Sequence, residues 1–115
     1  MAVIRYLIVV SNNNAKVIKE VVSLGPAGPA DKMMFKAVGD ITPGSTPAIM
    51  FGSSCPFTSK SDPKPNTVFK FDPLVAYAVD TPMPVGSDLF PFTCGEVNAL
   101  ENFSSWGGGG NGRDP

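Results

Sequence analysis

Along "AVIRYLIVV", residues 2–10, apolar side chains fall on both sides of a two-residue repeat: Ile4, Tyr6, Ile8 and Val10 share one face, Arg5, Leu7 and Val9 the other. Successive side chains of an extended chain point to opposite faces. A β-branched and aromatic segment that is mostly apolar on both faces therefore predicts a central strand. The next segment, "AKVIKEVVSL" (15–24), fits two periods. Val17, Ile18, Val21 and Val22 match helical spacing with Asn14 as a cap, while their β-branching matches a strand. The intervening "SNNN" (11–14) decides for the strand, because asparagine tolerates the left-handed backbone of a tight turn. "GPAGP" (25–29) ends the segment under either reading.

Further strands are predicted over 31–39, 47–52, 67–72, 74–79 and 88–94. In the first of these Met33 and Phe35 alternate with Met34 and Lys36, as in a half-buried strand. Segments 58–66 and 80–87 carry two prolines each and read as connections. Twelve prolines and twelve glycines leave little uninterrupted length for a helix. Short strands separated by turn signals predict an all-β chain folded as a single antiparallel or mixed β-sandwich. The end, "NFSSWGGGGNGRDP", changes composition at its four glycines. Their backbone freedom predicts a domain over 1–106 and a flexible, glycine-rich tail over 107–115.

At 115 residues the chain suits one domain. Its charged fraction of 17% lies below the usual figure of roughly 25%, and nine basic against ten acidic residues leave a net charge of -1. No basic stretch tracks a phosphate backbone, which argues against nucleic acid, and the sparse charge leaves self-association open. No run approaches the ~18 apolar residues of a membrane helix. "MAVIRYLIVVS" is interrupted by Arg5 and lacks a small-residue cleavage site, so it reads as a strand rather than a signal peptide, and composition does not fix a compartment. Asn102, Phe103 and Ser104 form a glycosylation sequon of low specificity.

The chain has no histidine. That excludes Ser-His-Asp and Cys-His catalysis and histidine-ligated zinc, and neither G-x-S-x-G nor G-x-G-x-x-G occurs. A non-enzyme without a cofactor is the expectation. Asp72, Asp80, Asp88 and Glu96 stand near predicted strand ends, where carboxylates serve a calcium or acid–base site or initiate turns; the turn reading is preferred. Met33, Met34, Met50 and Met83 are read as core filling over a soft-metal or adaptable patch. Trp106 has two readings, an anchor for a partner or a ring folded back onto the domain, and burial energy favours the second.

Two stretches, "GDITPGSTPAIMFGSSCPFTSKS" (39–61) and "VGSDLFPFTCGEVNAL" (85–100), resemble signature parts of the cupredoxin family. The first is similar to the strand leading to that family's first histidine loop, the second to its "G-x-Y-x-F-x-C" strand and ligand loop. Phe90, Phe92 and Cys94 match the aromatic, aromatic, cysteine alternation, and Cys55 falls close to the first histidine position. The resemblance covers roughly the C-terminal two-thirds of the chain. It implies a cupredoxin-like sandwich, and the missing imidazoles exclude a type 1 copper site.

The resemblance also implies that Cys55 and Cys94 meet at one end of the sandwich. Three readings stand for them: a disulfide that would stabilise by roughly 3–4 kcal/mol, buried free thiols, or a metal or redox site. The functional expectation is a non-catalytic binding or structural module that recruits a protein partner or its own copies. The alternative is a thiol-based redox or soft-metal-binding protein using Cys55 and Cys94.

Overall fold

Asn12 and Asn13 take φ values of 51° and 60°. Two consecutive left-handed residues make the tight loop whose twist suits a hairpin, and strands β1 (Val3–Ser11) and β2 (Asn14–Ser23) pair antiparallel on either side of it. The computed structural model describes residues 2–23, 25, 31–57, 63–80 and 90–112. Five more strands follow: β3 (Lys32–Gly39), β4 (Thr46–Phe51), β5 (Tyr77–Ala78), β6 (Pro91–Val97) and β7 (Phe103–Asn111). Residues 15–23 are thus strand rather than helix, and residue 24 lies outside the described part. Among the described residues there is no helix, hence none long and apolar enough to cross a membrane.

The strands form one mixed sheet in the order β4-β6-β7-β2-β1-β3-β5. β1 lies between β2 and a parallel β3, the central position its two apolar faces predict. A single rung, Asn14 opposite Gly107, joins β2 to β7. About that rung the sheet curls, so that rings from its two ends meet. The Phe92 ring of β6 stands edge-on to Tyr6 of β1 at 5.6 Å and to Phe35 of β3 at 5.8 Å. Ile4, Tyr6, Ile8, Val10, Met33 and Phe35 point into this core, as their alternation requires.

Four expectations change. The stretch 67–72 forms only one bridge, Phe69 with Ile49 of β4, between Pro65 and Pro73. The stretch 74–79 is reduced to β5, because the Asp72 carboxylate accepts the Leu74 N–H at 2.9 Å and turns the chain there. Strand β6 runs through Cys94 to Val97 instead of stopping at Cys94; residues 88 and 89 lie outside the described part. Most consequentially, the glycines at 107–110 belong to β7 and are not the start of a tail; 113–115 lie outside the described part.

Strand β7 exists because its glycines let two neighbours approach. Cys94 alone on β6 faces Trp106, Gly107 and Gly108, between the pairs Gly95–Ser105 and Thr93–Gly109. This bulge swings the strand toward β2, where the Gly107 N–H donates to the Asn13 carbonyl at 2.7 Å. A Cβ on Gly108 would stand 2.3 Å from the Ala15 carbonyl oxygen, and one on Gly109 would stand 2.6 Å from that of Phe92. One glycine leans on β2 and the next on β6.

The β6–β7 hairpin turns on Asn98, whose side-chain oxygen accepts the N–H groups of Leu100 and Asn102. Glu101 sits in the left-handed region at φ 63°. A side chain there costs roughly 1–2 kcal/mol. The exposed ion pair of Glu101 with Lys70 at 3.0 Å returns little of that. Replacing Glu101 by glycine is therefore expected to stabilise the protein by up to about 1 kcal/mol in urea denaturation. A loss of stability would contradict this account.

Candidate functional site

The two thiols differ in surroundings. Cys94 is fully buried in the middle of β6 opposite Ile49, on the same face as Phe92, and both cysteines are free. Cys55 is half-buried in the loop after β4, four residues beyond Phe51, the partner of Phe92. The ladder thus places Cys55 past the Phe92 end of β6, while Cys94 sits two pairs further in. Burial pushes the Cys94 thiol up to about 12 from an ordinary 9.0. Cys55 is also raised, first by burial and then by the charge of Asp80, against a lowering hydrogen bond from the Phe57 backbone. Neither setting favours the thiolate that nucleophilic or soft-metal chemistry requires.

A pH dependence follows. The unfolded chain releases the Cys94 proton near pH 9, whereas the folded chain holds it to about 12. Between those values the unfolded state binds fewer protons, so this contribution is complete below pH 9 and lost as pH rises toward 12. Cys94→Ala is expected to flatten the alkaline fall in stability by on the order of 1 kcal/mol per pH unit. Parallel wild-type and variant curves between pH 9 and 11 would refute it.

Trp106 is only 4% exposed and belongs to the hydrophobic core. Met33 is buried, while Met34 and Met50 are half-buried on other faces; Met83 lies outside the described residues. Asp72 forms the turn before Leu74, and the Glu96 carboxylate accepts both the N–H and the hydroxyl of Thr42. Asp80 is exposed beside Cys55, and Asp88 lies outside the described residues. Among the described residues no three His, Cys, Asp or Glu side chains gather as metal ligands. Asn102 of the sequon is exposed in the β6–β7 turn.

One buried carboxylate escapes a sequence reading. Asp31 is wholly inaccessible to solvent, its side chain accepts the Ala2 N–H at 2.8 Å, and its carbonyl accepts the Val79 N–H at 2.8 Å. It ties the starts of β1 and β3 to the end of β5. No local motif announces it, because its side-chain partner is 29 residues away.

Several large apolar side chains are also left outward. Leu74 and Leu100, at the tips of the two asparagine- and aspartate-capped turns, are 87% and 80% exposed, and Ile18, Val22 and Val38 are exposed on the outer sheet face. Comparison with protein-family models, curated proteins and solved structures gave no match to this chain. The cupredoxin resemblance rests on residues 39–61 and 85–100.

Proposed function

We propose that the protein is a non-catalytic structural or binding module, a cupredoxin-like sandwich without type 1 copper, that works by associating with copies of itself or with a protein partner. The observation that carries this reading is the placement of large apolar side chains. An ordered β framework with a filled aromatic interior holds Leu74 and Leu100 almost fully in water on hydrogen-bonded turns. Exposed apolar groups fixed on rigid turns favour contacts that remove them from water. Among the described residues Asp31 and Asp72 serve a strand start and a turn, Glu96 accepts from Thr42 and Asp40 from the Asn12 N–H, Glu20 and Glu101 pair with Arg5 and Lys70, and no three His, Cys, Asp or Glu side chains gather.

The alternative of a thiol redox or soft-metal protein gains nothing from the surroundings of Cys55 and Cys94, both of which hold their protons. Sedimentation at rising protein concentration tests the proposal. Mass beyond the monomer is expected, with association weakened little by salt if apolar contact dominates. A monomer at every concentration to the millimolar range, with no protein partner, would count against it.

A further inference from the structure

Resting on that reading, we propose a specific contact for self-association: the turns bearing Leu74 and Leu100 of one copy dock on the outer face of β1, β2 and β3 of the next. The register lays out that face. Val9 lies between Lys16 and Val38, Leu7 between Ile18 and Lys36, and Arg5 between Glu20 and Met34. Because Ile4, Tyr6, Ile8 and Val10 fill the core, these odd-numbered residues of β1 point the other way. Val38, Val9, Leu7 and Ile18 make a continuous apolar stripe with a lysine on each flank. Among the described strand residues of this face, Arg5, Lys16, Lys32 and Lys36 stand against one acid, Glu20, which pairs with Arg5, while Asp40 follows β3 at the Val38 end with its carboxylate on the Asn12 N–H.

The complementary surface is elsewhere on the same chain. Phe69 runs antiparallel beside Ile49, so the chain from 69 to 74 heads for the Thr46–Val97 end of the β4–β6 ladder, where the 98–102 turn begins. Lys70 and Glu101 fasten the two segments together. That end presents the most exposed leucines of the described residues, with Asp72, Glu96 and Glu101 against Lys70. Apolar tips in an acidic setting match an apolar stripe flanked by lysines. Two copies joined through the basic face alone would bring like charges together. The contact therefore uses two different patches, and such a contact propagates as a ring or filament instead of closing as a twofold dimer.

Two double variants at exposed positions test this. Lys16→Glu with Lys36→Glu spoils the face and keeps the turns; Leu74→Ser with Leu100→Ser spoils the turns and keeps the face. Each alone is expected to associate about tenfold more weakly or worse than wild type, while an equimolar mixture forms a one-to-one dimer and nothing larger. Lys16→Arg with Lys36→Arg keeps the charge and associates as wild type does. Circular dichroism and melting confirm that each variant is folded. If wild type associates and either disruptive variant associates equally well, or the mixture stays monomeric, this contact is wrong while self-association stands. A wild type that is monomeric throughout removes both. Should monomeric wild type bind phosphatidylserine vesicles and the glutamate variant not, the face serves lipid, and the proposal falls.

Discussion

Phe92→Ala is expected to lower stability by about 3–5 kcal/mol, the range for removing a buried aromatic ring. The ring stands edge-on to Tyr6 and Phe35 and lies 5.3 Å from Phe51, so it touches strands from both ends of the curled sheet. Its loss removes apolar burial and three ring contacts, and the surroundings cannot collapse easily because each neighbouring ring belongs to a different strand. Leu74→Ala removes an equally apolar side chain that is 87% exposed, and should change stability by no more than about 0.5 kcal/mol. Denaturant melts of the two variants decide the matter. A loss below about 1 kcal/mol for Phe92→Ala would mean that the two ends of the sheet do not pack through this ring.

Gly108→Ala should be nearly as damaging, at about 2–5 kcal/mol. Residue 108 has φ 83°, which penalises any side chain, and its Cβ would sit 2.3 Å from the Ala15 carbonyl oxygen, so β7 must draw away from β2. Two controls separate conformation from space. Gly44 has φ 83° with open surroundings, and alanine there should cost only the conformational part, about 1 kcal/mol. Gly52 has open surroundings without a positive φ, so alanine should be neutral or slightly stabilising. A silent Gly108→Ala, equal to Gly52→Ala, would return the glycine run to the status of a loose tail.

These two positions also mark where the sequence is readable and where it is not. Strands β1 and β3 announce themselves because Ile4, Tyr6, Ile8, Met33 and Phe35 carry the two-residue period in their own side chains. The "SNNN" turn is legible because its requirement is local to Asn12 and Asn13. Glycine carries no side-chain period, so the reason that 107–110 is strand lies in Asn14, Ala15 and Phe92, which are distant in the chain. The opposite error occurs at 67–79, where an apolar pattern suggests two strands but the Asp72 turn leaves one bridge and the two-residue β5. At the candidate sites, Cys94 faces the core as its alternation with Phe92 requires. The docking surfaces were not legible, because exposure of Leu74 and Leu100 depends on which way their turns point.

The single rung between β2 and β7 divides the chain by the distance over which contacts must close. β1, β2 and β3 lie within residues 3–39, and their hairpin closes over two residues. In contrast, Phe51 reaches Phe92 across 41 positions and Thr46 reaches Val97 across 51. Loop-closure entropy makes the second kind of pairing the slower one. On a ribosome the first three strands emerge with both partners of β1 already made, whereas β4 waits for β6 with its apolar face uncovered. The sheet is continuous in space, but its assembly is sequential, and the glycine strand is the last piece to join its two ends.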